Sequence, residues 1–263
     1  MTDDSSARVP VSAATGGLID IHSHLLPGLD DGCQDLQESL ECVRRLIAAG
    51  FTGTICTPHT SPALFPAYNY RHVVALTAAL QKKLDQARLA YRVWPGGELR
   101  ITPDVMDWLT PDLVPRLADS RCVLMDTWEP QWPRWLPGVI EWFFAHGYQP
   151  ILAHPERLPG IGQLREDALK DLERLGVWLQ GNFASLTGQE GYEADQTVRH
   201  LLAAGRYRFL ALDMHGPATL NDRLDGLHLA AAEFGPAVVT DLAGTRPRAS
   251  LLTPPRAPEN LIK

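Results

Sequence analysis

Short apolar runs that end in polar residues alternate along the chain with stretches whose apolar positions recur every three or four residues. "GLIDIHSH" (17–24) reads as a first strand. "DLQESLECVRRLIAAG" (35–50) follows as an amphipathic helix, with Leu36, Leu40, Val43 and Ile47 on one face and Gly50 as its stop. "TGTICTPH" (52–59) is a second strand, and 69–89 a second helix. "YRVWPGGEL" (91–99) is a third strand, broken by Pro95-Gly96-Gly97, and "RCVLMDTW" (121–128) a fourth. "LPGVIEWFFAHG", "LREDALKDLERLG", 191–205 and "DRLDGLHLAAAEFG" read as helices, the second of them stopped by Gly176. "YQPILAHPER", "VWLQGNFAS" and "RFLALDMH" are the strands among them. The tail "TRPRASLLTPPRAPENLIK" is proline-rich and is expected to wrap the surface.

This is an α/β pattern of seven βα units with no linker between them. It predicts a parallel sheet covered by helices. An open doubly wound sheet would also fit, but no glycine-rich phosphate loop follows the first strand. Instead nearly every strand ends in His, Asp or Glu, as in closed barrels that build their sites from C-terminal strand ends. The 263 residues suit one such domain, and the 45% hydrophobic content suits an ordinary large core. Residues 1–17 read as a disordered leader and 18–263 as the folded domain.

Charge and cysteines narrow the chemistry. A net charge of −7 without a Lys/Arg cluster argues against nucleic-acid binding. No apolar run reaches the roughly 18 residues of a membrane span, so no membrane insertion is expected. Cys33, Cys42, Cys56 and Cys122 form no C-x-x-C pair and read as reduced cytosolic thiols, which points to a cytoplasmic protein. Six residues beyond them stand Ser39, Ala48, Pro62 and Trp128, so the C-x5-R motif of cysteine-dependent phosphatases is missing.

The strand ends carry the chemistry. Strand alternation places Asp20, His22 and His24 on one face, where two imidazoles can share an ion and a buried Asp can fix a tautomer. His59, Glu98, Asp126, His154, Asp213 and His215 end later strands, and Asp30 and Asp31 sit in the loop after the first. So many charges on one rim are costly to bury unless cations bind among them. The ligands are too numerous for one ion, so two or three are expected, and mixed imidazole and carboxylate suits Zn, Mn or Fe. Metal pairs about 3.5–4 Å apart hydrolyse phosphate esters. Arg157, three residues past His154, is a candidate phosphate grip, with a surface ion pair as the other reading.

These motifs, "DIHSHLLPGLDDG", "TPH", "GGE…TPDV", "AHPER" and "DMH", resemble the PHP (polymerase and histidinol phosphatase) superfamily. They are most similar to bacterial metal-dependent protein-tyrosine phosphatases of capsule and exopolysaccharide loci. The resemblance spans about 18–262. It implies a distorted (β/α)7 TIM-like barrel and a trinuclear site, usually Mn-supported, with Fe, Zn, Co or Mg as alternatives. It implies His22, His24, Glu98 and Asp213 at the first metal. Glu98 would bridge to a second shared with Asp126 and His154, and Asp31, His59 and His215 would hold a third. Arg157 matches the family's phosphate-gripping arginine. Arg223, in "HGPATLNDR", is offered for a second arginine but lies later than the pattern expects.

The strand-four ligand is commonly Glu in that family and is Asp126 here, so a backbone shift, a water or Glu129 would have to bridge the missing methylene. The loop after it carries Trp128, Trp132 and Trp135. These read either as an aromatic wall for a phosphotyrosine ring or as a loop anchor or oligomer contact, and Tyr68 and Tyr70 carry the same two readings. The partner implied by the resemblance is an autophosphorylated bacterial tyrosine kinase that controls polysaccharide export. Histidinol phosphate or another small phosphomonoester remains an alternative substrate, and a non-catalytic metal-braced scaffold an alternative function.

Overall fold

The computed structural model describes residues 16–65, 68–129, 133–158 and 163–253. The expected leader, apart from Gly16 and Gly17, lies outside them, as do Trp132 and the tail beyond Thr253.

Nine short strands and eight helices alternate among the described residues. In chain order these are β1 (Leu18–Asp20), α1 (Leu36–Ala48), β2 (Phe51–Cys56), β3 (His59–Thr60), α2 (Tyr70–Gln86), β4 (Arg92–Pro95), β5 (Glu98–Arg100), α3 (Val105–Trp108), β6 (Cys122–Asp126), α4 (Leu136–Ala145), β7 (Gln149–Ala153), α5 (Gln163–Arg174), β8 (Trp178–Asn182), α6 (Tyr192–Ala203), β9 (Phe209–Ala211), α7 (Leu220–Phe234) and α8 (Pro236–Thr240). All strand pairs are parallel, in the orders β1-β2-β4 and β3-β5-β6-β7-β8-β9.

The second and third strand positions are each split between the two sheets. Pro58 has no N–H for a ladder, so the expected continuous strand 52–59 is interrupted and His59 restarts in the other sheet beside Glu98. The break at Pro95-Gly96-Gly97 does the same one strand later, and neither glycine has room for a side chain. A Cβ on Gly96 would lie 2.8 Å from Ile55, and one on Gly97 2.6 Å from Thr60 Oγ1. The ring returns to its start where His24 N donates to Met214 O and Asp213 N to His22 O, both at 2.9 Å. Seven strand positions thus surround one interior, each followed by a helix, as the sequence predicts.

Strand alternation sorts the core into two shells. Ile19, Ile21, Ile55, Cys122, Leu124, Ile151, Ala153 and Phe209 fill the interior. Leu40, Val43, Leu46, Val123, Phe143, Val198 and Leu227 pack between strands and helices. On β6, Cys122 and Leu124 point inward, so Asp126 extends the same inward row at the strand end. Two local expectations change. On α1 Leu46 is buried and Ile47 is exposed, because the packed stripe runs through Leu40, Val43 and Leu46. The chain after α8 does not lie on the surface through Leu252: wide helical turns over Asp241–Thr245 and Arg248–Leu252 drive Leu251 into the interior shell.

Candidate metal centre

The loop after β1 doubles back over the strand ends. Gly28, at φ +71, donates its N–H to Cys33 O, and Cys33 N donates to His24 O. Gly32 passes so close that a Cβ would lie 2.1 Å from His24 O, so only glycine fits there. The fold-back sets Asp30 against two histidines. Its Oδ2 accepts from His24 Nδ1 at 2.7 Å and from the His59 amide at 3.0 Å. Asp31 remains at the exposed rim, with Oδ1 3.5 Å from both His59 Nε2 and His215 Nε2.

The expected Asp20 partner for a histidine is not found. β1 ends at Asp20 and the chain bends at His22, so strict alternation does not run on to His24. Asp20 accepts backbone N–H bonds from Leu212 and His22 instead. The imidazole partners are Asp30 for His24 and Gln180 for His22, whose Nδ1 lies 2.9 Å from Gln180 Oε1.

Four buried atoms converge at the centre. His22 Nε2 lies 3.4 Å from Glu98 Oε2 and 3.3 Å from Asp213 Oδ1. His24 Nε2 lies 3.6 Å and 3.5 Å from the same two oxygens. Ligands about 2.0–2.1 Å from a tetrahedral ion stand roughly 3.3–3.4 Å apart, so these imidazole–carboxylate distances are those of neighbours in a coordination shell, and His22, His24 and Glu98 form one potential ligand group. His22 Nε2, His24 Nε2 and His154 Nδ1 are buried without a hydrogen-bond partner, and Glu98 Oε2 lies 2.8 Å from His59 Nδ1. Orphaned polar atoms of this kind call for an ion.

Two further groups flank the quartet. Glu98, Asp126 and His154 offer ligand atoms close enough to share an ion, as do His24, Asp31, His59 and His215, and a fourth group joins His22, His154 and Asp213. Glu98 belongs both to the group with His22 and His24 and to the group with Asp126 and His154, its Oε1 lying 3.1 Å from His154 Nε2. Asp126 Oδ1 lies 3.9 Å from His154 Nδ1. Its two oxygens accept from Thr127 N and from the Trp128 indole Nε1, each at 2.6 Å. Glu129 joins none of these groups and lines the adjoining cavity.

The electrostatics follow from this crowding. Burial alone would raise the Glu98 and Asp213 carboxyls, yet the surrounding histidines hold both well below the usual carboxylate range. Burial would lower His24 and His154, but Asp213 and Asp30 push the first up, and Asp126 with Glu98 pushes the second up to about 9. The cluster attracts positive charge, which protons supply where no cation does.

His154 (φ 30) and Asp213 (φ 50) both occupy the left-handed region, which side-chain-bearing residues rarely adopt. Such strain persists only where surroundings over-determine it. After His154 a tight turn, Pro155–Arg157, alternates its side chains. Glu156 is anchored inward by Asn182 N, Ser185 and Tyr207, whereas Arg157 reaches outward to donate to Asp213 Oδ2 at 2.9 Å. Arg223 meets the same residue from α7, its Nε 3.3 Å from Asp213 O.

Asp126, Thr127, Trp128, Glu129, His154, Arg157 and Leu158 line a cavity of about 300 Å³ beside the cluster. Trp128 is 48% exposed, with the Arg100 guanidinium 4.0 Å from its ring centre and His59 edge-on to it. Trp135 packs against the outer core at the start of α4. Tyr70 is buried and donates to Arg116 O, and Tyr68 donates to His59 O.

A family model described as capsular polysaccharide synthesis, CpsB/CapC, matches residues 18–247. The chain belongs to this family. Among CpsB/CapC relatives it is 30% identical over 221 residues to the tyrosine-protein phosphatase YwqE of Bacillus subtilis, covering 83% of this chain and 85% of that one. It is 24% identical over 207 residues to the tyrosine-protein phosphatase CpsB of Streptococcus agalactiae, covering 75% and 83%. Its fold matches a chain from the crystal structures of YwqE and of CpsB from Streptococcus pneumoniae, described as unique metal-dependent tyrosine phosphatases. That match has a TM-score of 0.78 at 29% identity and covers 90% of this chain and 98% of the other. The phosphotriesterase homology protein of Escherichia coli shares the fold alone, at a TM-score of 0.58 and 11% identity.

The residues that sequence reasoning missed are Gln180 and Asn182. Both are fully buried on β8, and Asn182 Nδ2 donates to Asp213 Oδ2 at 2.8 Å. Their signal was present as two polar residues, two apart, inside the apolar run "VWLQGN".

Proposed function

We propose that the protein is a metal-dependent protein-tyrosine phosphatase that acts on an autophosphorylated bacterial tyrosine kinase governing capsule or exopolysaccharide synthesis. The observation that carries the reading is the convergence of His22 Nε2 and His24 Nε2 on Glu98 Oε2 and Asp213 Oδ1, each imidazole nitrogen 3.3–3.6 Å from both carboxylate oxygens and neither nitrogen with a hydrogen-bond partner. Family membership and the likeness to YwqE and CpsB support it.

His22, His24, Glu98 and Asp213 would hold one ion, Glu98, Asp126 and His154 a second, and Asp31, His59 and His215 a third, with manganese as the expected metal. Bound divalent ions neutralise phosphoryl charge and lower the pKa of coordinated water. The protein's own groups do the rest. Arg157 lines the cavity beside the cluster, where its guanidinium can turn from Asp213 to grip phosphoryl oxygens in a bidentate manner. Arg223 steadies the strained Asp213 backbone. Leu158 and Trp128 offer apolar surface to an aromatic leaving group. The reading carries with it a cytoplasmic setting, and no described helix is long and apolar enough to cross a membrane.

The test is phosphate release by metal-stripped protein from a phosphotyrosine peptide, a phosphoserine peptide and histidinol phosphate, each with and without added Mn. Mn-dependent release from the phosphotyrosine peptide alone is expected. Release mainly from histidinol phosphate would move the function to small-molecule metabolism, and none from any substrate despite bound metal would leave a scaffold.

A further inference from the structure

Gln180 and Asn182 provide no atom to any of the four ligand groups, yet both are fully buried beside them. Their hydrogen bonds have only one consistent direction. The Asp213 carboxylate can only accept, so the Asn182 amide nitrogen is the atom that faces Oδ2 at 2.8 Å. That orientation turns Asn182 Oδ1 to Gln180, whose Nε2 donates to it at 2.9 Å and to Gly181 O at 2.7 Å. With both amide hydrogens of Gln180 committed, its Oε1 is left to meet His22 Nδ1 at 2.9 Å. Oε1 can only accept, so the His22 proton sits on Nδ1. In the neutral ring, the form that binds a metal, Nε2 then carries the lone pair, and it is the His22 atom that lies 3.3–3.4 Å from Asp213 and Glu98 without a hydrogen-bond partner.

We propose that Gln180 and Asn182 are positioning residues, forming a one-way hydrogen-bond relay in which His22 donates to Gln180, Gln180 to Asn182 and Asn182 to Asp213, which locks His22 in its Nδ1–H tautomer and keeps Nε2 free for a divalent cation. The relay ties two ligands of the same quartet together through β8, so neither can rotate without breaking a buried bond. Gly181, between the two, must lack a side chain. A Cβ there would lie 2.6 Å from the Tyr207 ring, which itself anchors Glu156 and the turn bearing Arg157. The inference rests on the metal-centre reading above and not on the substrate proposed with it.

The experiment uses full-length protein, stripped and reloaded with zinc, which is diamagnetic. Histidine-selective nitrogen NMR, with His22 assigned by comparison with His22→Asn, should show coordination through Nε2 and a slowly exchanging proton on Nδ1. Gln180→Leu should speed that exchange and weaken metal binding by calorimetry about 10–100-fold, the usual effect of losing a ligand's outer partner. Coordination of His22 through Nδ1 would overturn the relay, and so would an affinity in Gln180→Leu within twofold of the parent. A parent that binds metal but spares phosphotyrosine would remove the proposed substrate and leave this test standing. A parent that binds no metal would remove both.

Discussion

Trp128→Phe tests one hydrogen bond at the Asp126 corner of the cluster. The indole Nε1–H donates to Asp126 Oδ2 at 2.6 Å, while the ring face carries Arg100 at 4.0 Å. Phenylalanine keeps a smaller aromatic face and loses the donor. A hydrogen bond to a charged group contributes about 1.5–3 kcal/mol. Trp128 is 48% exposed, so water can replace part of the donor and the low end applies. About 1.5 kcal/mol corresponds to roughly a tenfold weaker affinity for the ion that Asp126 helps to hold. Thr127 N still restrains the other oxygen, so Asp126 loosens without being lost.

The assay is manganese titration by calorimetry on parent, Trp128→Phe, Asp126→Glu and the double variant. One class of sites should weaken about tenfold in Trp128→Phe. If the indole compensates for the shorter carboxylate, Asp126→Glu should retain affinity, and Trp128→Phe should cost little in its presence. Unchanged titration in Trp128→Phe would refute the argument. So would unchanged metal binding with a raised KM for aromatic phosphates, which would make Trp128 a substrate contact.

Arg157→Ala should lower kcat by about 10²–10³, the usual loss for one transition-state donor, while metal content measured by elemental analysis stays at the parent level. Unchanged kinetics would reduce Arg157 to a partner of Asp213. Stability of the metal-free protein should fall as pH rises. His154 titrates at about 9 when folded against 6.5 when exposed, so its contribution is complete below 6.5 and lost on passing 9. That shift amounts to about 3 kcal/mol. Urea unfolding in chelator at pH 6.5 and pH 9 measures it, and a rise in stability over that window would contradict the cluster's electrostatics. Metal-loaded protein should show the opposite trend, because deprotonated imidazoles bind ions more tightly.

The barrel and most of its polar rim were legible in the chain because both depend on local order. Strand alternation and helical periodicity locate the elements, and a parallel barrel gathers strand ends on one rim whatever their sequence separation. That is why His22, Glu98, Asp126, His154 and Asp213 could be nominated from their positions alone. Resemblance to known motifs then implied metal groups; in space Glu98, Asp126 and His154 approach one another, as do His24, Asp31, His59 and His215, while Asp213 groups with His22 and His154.

What local order could not determine is which polar atoms meet. Strand alternation nominated Asp20 as a histidine's partner, but the bend at His22 and the fold-back through Gly28 and Gly32 give the imidazole of His24 to Asp30. The same limit applies to the split of the second strand at Pro58, the burial of Leu46 in place of Ile47, and the insertion of Leu251 into the interior. It applies most of all to the relay through Gln180 and Asn182, which joins residues 158 positions apart in the chain. Sequence determined the chemistry available at each strand end, because residue type and period are local. Tertiary structure alone decided donor and acceptor partners, because a hydrogen bond requires a few ångströms and a direction, and neither is encoded by spacing along the chain.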